Sequence, residues 1–361
     1  MKKSDIKVID LFCGIGGLSH GFVKEGFNVI AGIDFEESCK YPFEENNNAL
    51  FIPKDIRDVE SKEINQLFGK TKIRILVGCA PCQPFSTYSF KSPDHSEADS
   101  RKSKWGLLYE FARLIEDTKP EIVSMENVPG LAKFDKADVF AGFLKILSDN
   151  DYFIDYKIID CPQYGIPQKR KRLVLLASRL GQINIIPETH TSPKNYVKVK
   201  DVIGHLEPLE SGEISTKDPI HRAAKLSDTN ILRIKQSKQG GTWKDWDENL
   251  ILDCHKKASG KGYGSVYGRM KWDEPAPTMT TFCTGIGNGR FGHPEQDRAI
   301  SLREAALIQT FPESYKFAAN EKQISMTKLS TFIGNAVPVD LGKVIAKSIK
   351  FHLQENKNAR K

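Results

Sequence analysis

Between residues 6 and 177 the chain alternates short, branched apolar runs with stretches whose apolar residues recur at helical spacing. That alternation constrains the fold more than any other feature, because it predicts a mostly parallel sheet wrapped by helices. Strands are predicted at 6–12, 27–33, 73–77, 122–125, 152–159 and 173–177. Between them, residues 18–25 form a short predicted helix, and Leu107, Leu108, Phe111, Leu114 and Ile115 share one helical face. Lys119-Pro120 stops that helix, and Val139, Phe140, Phe143, Leu144 and Leu147 mark another. In sheets of this kind ligands gather at the carboxyl ends of the strands.

Beyond residue 187 the periodicity fades into a stretch rich in Gly, Lys, Thr and Asn, with exposed glycine loops predicted at 240–244 and 260–264. A chain of 361 residues has room for two domains, and this stretch reads as a second, smaller, irregular one. Order returns at Ser301-Leu302-Arg303-Glu304, which has the spacing of a capping box. Gly334 closes one helical stretch, and Pro338 suits the first turn of a terminal helix carrying Leu341, Val344, Ile345 and Ile349. Its apolar texture is that of the first domain. The expected division is therefore 1–187, 188–273, and a return to the first domain over 274–361.

The formal charge of +7 permits a nucleic-acid partner without requiring one. Seven scattered cysteines fit a reducing compartment better than a disulfide framework. No stretch approaches the ~20 apolar residues of a membrane span, so a cytoplasmic, membrane-free protein is expected.

Four constellations carry chemistry. Gly78-Cys79-Ala80-Pro81-Cys82-Gln83-Pro84-Phe85-Ser86 follows a strand, and its prolines stiffen a loop that presents Cys82. Taken alone, that loop suits a nucleophile, a Cys79/Cys82 redox pair or half of a zinc site. Asp10-Leu11-Phe12-Cys13-Gly14-Ile15-Gly16-Gly17 ends the first strand with a glycine turn, and Asp34 ends the next where a ribose-binding carboxylate belongs. The spacing differs from the dinucleotide pattern and favours a nucleoside without a diphosphate. Glu126-Asn127-Val128, placed after the strand 122–125, offers a general acid at the sheet edge that carries Cys82. Finally, Gln168, Arg170 and Arg172 alternate along an extended segment and would share one side, facing a phosphate or a carbonyl.

Taken together, Asp10-Leu11-Phe12 with Gly14, Gly16 and Gly17, then Pro81-Cys82-Gln83, Glu126-Asn127-Val128, Gln168-x-Arg170-x-Arg172, Arg303-Glu304-Ala305-Ala306 and Gly334-Asn335 resemble the ordered motifs of the DNA cytosine-5 methyltransferases. The resemblance covers most of the chain. It implies an α/β fold: a Rossmann-like S-adenosylmethionine-dependent methyltransferase sheet with a second, smaller irregular target-recognition domain. Cofactor residues carried over from it are Phe12, Gly14, Gly16, Gly17, Asp34, Phe35, Asp55, Ile56, Leu107, Asn335 and Val337. Asp34 is shorter than the Glu often found at its position, and Phe35 replaces a frequent Trp.

The same resemblance implies methyl transfer from S-adenosylmethionine to carbon 5 of a cytosine flipped out of double-stranded DNA. Cys82 would add to carbon 6, Glu126 would protonate the ring edge and Arg170 would stabilise the carbonyl. Gln83, Ser86, Arg172, Trp243, Lys244 and Arg269 are the expected DNA contacts, and residues 88–104 a lid whose Lys91, Arg101, Lys102 and Lys104 meet phosphates. No metal is expected; a separate restriction endonuclease is a partner implied by the family, and the chain is expected to be monomeric. A tRNA cytosine-5 methyltransferase of the same architecture, a non-catalytic DNA-binding relative and a Cys79/Cys82 thiol-disulfide oxidoreductase are the alternatives.

Overall fold

The computed structural model describes residues 5–81, 106–133, 139–258, 260, 262–321 and 325–359. In chain order its strands are β1 (Ile6–Leu11), β2 (Val29–Asp34), β3 (Leu50–Pro53), β4 (Ile73–Gly78), β5 (Ile122–Asn127), β6 (Phe153–Asp160), β7 (Gln168–Lys169), β8 (Lys171–Ser178) and β9 (Ala276–Pro277). The helices are α1 (Gly17–Lys24), α2 (Lys40–Asn47), α3 (Ser61–Phe68), α4 (Gly106–Thr118), α5 (Val139–Asp149) and α6 (Val199–Ile203). They continue with α7 (Asp228–Gln236), α8 (Asp253–Lys256), α9 (Leu302–Ile308), α10 (Met326–Asn335) and α11 (Val339–Ala359).

The chain divides into two compact units, one formed by Met1–Asp160, Lys171–Glu188 and Val337–Lys361, the other by Cys161–Arg170 and Thr189–Ala336. In the first unit a seven-stranded sheet runs in the order β3-β2-β1-β4-β5-β8-β6. β1 to β5 are parallel, as the alternation predicts, and β8 runs antiparallel to both of its neighbours. Strand order reverses between β1 and β4, where Leu11 pairs with Gly78. A reversal of this kind opens a crevice at the carboxyl ends, and here it sets the glycine turn beside the segment leading to Cys82.

Ile9, Leu11, Leu76, Val123 and Leu175 are fully buried and pack with Phe111, Leu114 and Ile115 of α4 and Phe143 and Leu147 of α5. Terminal helix α11 packs against α1. It belongs to the first unit, in keeping with its apolar texture.

Two details differ from the expectations. β5 extends through Asn127, so Glu126 and Asn127 are its last two residues rather than part of the loop behind it. The elements α2, β3 and α3 were not anticipated: α2 is polar and holds Pro42 in its first turn, while β3 has only four residues and ends on Pro53.

The second unit is irregular, built from short helices, the β7–β9 pair and buried ion pairs. Its α9 has the capping box read from the sequence, with Glu304 N donating to Ser301 Oγ at 3.1 Å and Ser301 N donating to Glu304 Oε2 at 2.6 Å. Residues 274–336 pack into this unit, and the chain rejoins the first at Val337. Among the described residues no helix is long and apolar enough to cross a membrane.

Candidate active site

Parallel pairing of β4 with β5 sets the geometry of the site. Gly78, the last residue of β4, pairs with Met125, so Cys79 leaves β4 beside Glu126, the next residue of β5. Cys79 Sγ donates to Glu126 Oε2 at 2.7 Å. One step further, Asn127 Nδ2 donates to Ala80 O at 3.2 Å, while Asn127 Oδ1 accepts from Val128 N. The start of the stiff loop is thus tied to β5 at consecutive residues. Cys82, Gln83 and Ser86 lie outside the described residues, as does 88–104 with its lysines and arginine.

Glu126 is only 2 % exposed. Arg172, reaching across from β8, brings Nε to 2.9 Å from Glu126 Oε1. No N–H is aligned on that oxygen, however, and Oε1 accepts no hydrogen bond among the described residues. A buried carboxyl with one oxygen bonded, the other open and a guanidinium beside it is equipped to exchange a proton with a ligand.

The alternating triplet divides differently from the expectation. Arg170 donates to Met279 O at 2.9 Å and Ala336 O at 3.4 Å, and lies against Gln168 Oε1 at 3.4 Å, all within the second unit. Gln168 is completely buried there, accepting from Met279 N and donating to Gln309 Oε1. These donors tie loops together. Arg172 belongs to the first unit, so the arginine at Glu126 is Arg172.

At the end of β1, Phe12 has φ +60°, a strained value for a bulky residue, and its ring meets Phe111 edge-on at 6.4 Å. Gly14 and Gly16 both have positive φ, and Gly17 opens α1. A side chain at Gly14 would meet nothing within 4 Å, which leaves space over the turn. Asp34 braces that turn: Oδ2 accepts from Gly14 N and Oδ1 from Glu36 N, each at 2.9 Å. Burial holds the Asp34 carboxyl above its usual range. Phe35 beside it is 73 % exposed, a flat apolar face.

Asp55 caps the short turn Ile56–Asp58 and is paired with Arg57, while Ile56 is buried in the core. Leu107 packs at the edge of that core on α4. Val337 is buried in the first unit, and Asn335 is exposed at the end of α10 in the second.

The sequence singled out neither Asp10 nor Asn127 for its own role. Asp10 is buried; its Oδ2 accepts from Ser19 Oγ at 2.6 Å and its Oδ1 has no partner among the described residues. Burial pushes its carboxyl up to about 7. An unsatisfied buried carboxylate behind an open glycine turn suits a cationic nucleoside, and S-adenosylmethionine is one.

In the second unit, Trp243 and Arg269 are corrected as DNA contacts. Trp243 is buried, stacked on His255 at 4.6 Å, and donates Nε1–H to Tyr263 O. Arg269, 5 % exposed, donates to Ser237 O, His293 O and Ile234 O and pairs with Asp297. Both hold the unit together. Lys244 is exposed, its ammonium 5.8 Å from the centre of the Trp243 ring.

The family model of C-5 cytosine-specific DNA methylases aligns with residues 6–351. The chain belongs to that family. It is 56 % identical over 347 residues to the type II methylase M.HgiDII of Herpetosiphon aurantiacus, covering 96 % of each chain. The type II methyltransferase M.PspPI of a Psychrobacter species is 30 % identical over 95 % of this chain and 78 % of its own. Among solved structures, a prophage-encoded DNA modification methyltransferase of E. coli superposes with TM-score 0.72 at 21 % identity, over 97 % of this chain and 99 % of that one. The Entamoeba histolytica methyltransferase EhMeth gives 0.66 at 17 % identity, with the same coverage. The DNA cytosine-5 methyltransferase therefore has the α/β methyltransferase fold of its relatives, and it is an enzyme of cytosine C-5 methylation.

Proposed function

We propose that this methyltransferase moves the methyl group of S-adenosylmethionine to carbon 5 of a cytosine flipped out of a specific duplex DNA sequence, through a covalent adduct with Cys82. The observation that carries the reading is the buried Glu126 carboxyl, with Oε1 open beside Arg172 and Oε2 tied to the strand end that leads into Cys82.

Carbon 5 of cytosine is a weak nucleophile. Addition of the Cys82 thiolate to carbon 6 forms a sulfur–carbon bond, moves the C5=C6 pair to C4=C5 and sends the C4=N3 pair to N3. Glu126 supplies a proton to N3, and the carboxylate left behind is held by Arg172 and Cys79. Arg172 is also the arginine we assign to the cytosine carbonyl, the role expected of Arg170. The enamine carbon 5 takes the methyl group, a base removes the carbon-5 proton, and Cys82 leaves.

Phe12, Gly14, Gly16, Gly17, Asp34, Phe35, Asp55, Ile56, Leu107, Asn335 and Val337 are the residues we assign to S-adenosylmethionine, and we add Asp10 to them. When bound, the cofactor supplies an electrophilic methyl group. Gly14 and Gly16 keep the turn open, Asp34 has lone pairs left for hydroxyl groups, and Phe35 offers a face to a flat ring.

We assign sequence choice to the second unit, with Lys244 as a DNA contact, and Gln83 and Ser86 to the nucleophile loop. The enzyme is read as a cytoplasmic monomer. The name of its type II relative supports a restriction-modification role with a separate endonuclease. Transfer of labelled methyl groups to mixed-sequence duplex DNA and to tRNA tests the substrate. Label is expected in duplex DNA, at 5-methylcytosine within one short sequence; label in tRNA alone would overturn the assignment.

A further inference from the structure

We infer that Cys79 is a positioning residue for Glu126: its thiol, donated to Oε2, makes Oε1 the oxygen that carries the exchanged proton. The inference rests on Glu126 being the acid of the reaction.

A carboxyl group has two oxygens that compete for its single proton. Cys79 Sγ, 2.7 Å from Oε2, already fills that oxygen with an S–H donor. A proton on Oε2 would have to displace that S–H, which leaves Oε1 as the oxygen to carry it. Oε1 is the oxygen without an aligned partner among the described residues, and it lies 2.9 Å from the Arg172 guanidinium. Arg172 alone does not select it, because a guanidinium can pair with either oxygen. Nor can the carboxyl easily rotate, being 2 % exposed at the end of a strand paired on both sides. When the Oε1 proton passes to N3, the new negative charge is shared between the S–H at one oxygen and the guanidinium at the other. On elimination of Cys82 the same proton returns to Oε1.

A thiol is a modest donor, so its loss should be felt as about one factor of ten in the chemical step. Cys79→Ala is expected to lower the single-turnover methyl-transfer rate about tenfold while the KM values for DNA and S-adenosylmethionine change by less than about twofold. Cys79→Ser keeps a donor and should recover to within about threefold of the native rate. In a Glu126→Gln background, Cys79→Ala should change the remaining rate by less than about twofold, because the two residues act as one unit. Should Cys79→Ala melt early, Cys79→Val removes the donor while filling the volume, with the same expectation. Native rate in Cys79→Ala or Cys79→Val, equal losses in the Ser and Ala variants, or a loss that persists beside Glu126→Gln would overturn the inference. Glu126→Gln at the native rate would instead overturn Glu126 as the acid, a separate failure.

Discussion

Asp10 is the residue whose chemistry is most at odds with its surroundings. Its carboxyl is buried, one oxygen lacks a partner among the described residues, and Ser19 only partly offsets the loss of water. With a folded value of about 7 against an ordinary 3.8, Asp10 contributes stability that is fully present below 3.8 and lost as pH rises toward and through 7. Asp10→Asn is therefore expected to raise the melting temperature of the ligand-free enzyme at pH 8, by roughly 1–3 kcal/mol of stability, with a smaller gain at pH 5. The same change should weaken S-adenosylmethionine binding at pH 8, since it removes the negative charge that suits a cationic ligand. Calorimetry at both pH values checks this, and equal gains at pH 5 and pH 8 would count against it. At this scale the sequence was legible in where it put Glu126, at the sheet edge that carries the segment leading to Cys82. It was less so where a partner decides the role. A Cys79 in Cys-x-x-Cys reads as half of a redox pair or of a zinc site until the register of β4 against β5 puts it beside Glu126. Likewise Trp243 and Arg269 have the composition of a DNA face, and burial turns both into scaffolding.

Helix α1 crosses α11 at a backbone contact, and that crossing gives an element-scale test. A methyl group added at Gly21 would fall 2.5 Å from the backbone of Gly342 and from Val339 O. Gly to Ala in a helix gains about 1 kcal/mol on propensity alone, whereas overpacking against backbone costs about 1–3 kcal/mol. The clash should win, so Gly21→Ala is expected to lower the melting temperature. Gly142, on α5, has nothing within 4 Å of such a methyl, and Gly142→Ala should raise it. Shifts of the same sign in both variants would show that the crossing is not what Gly21 serves. The elements themselves were legible wherever burial writes a long apolar run or a clear helical face, as in β4, β5, α4 and α5. α2 and β3 were missed because they are short, polar or proline-bearing and hold their shape through neighbours. α3 carried a signal that went unread, a Glu60/Glu63 capping box ahead of Ile64 and Phe68 on one face.

Over the whole molecule, the reversal of strand order between β1 and β4 brings the glycine turn and the segment leading to Cys82 to one edge of the sheet. The glycine turn and the loop to Cys82 leave the sheet at paired residues, Leu11 and Gly78, and Glu126 follows one strand over. That convergence was implied by the strand–helix alternation. The extent of the second unit was less legible, since residues 161–170 and 274–336 join it through buried polar ties that leave no periodic trace. The central claim is that Cys82 attacks the cytosine ring. Its most direct measurement is incubation of the enzyme with S-adenosylmethionine and duplex DNA in which cytosine is replaced by 5-fluorocytosine, whose fluorine cannot leave as a proton does. A protein–DNA adduct that survives denaturation and maps by mass spectrometry to Cys82 is expected, and Cys82→Ser should form none. An equal yield of adduct from Cys82→Ser, or no adduct with duplexes that carry a sequence the enzyme methylates, would contradict the mechanism.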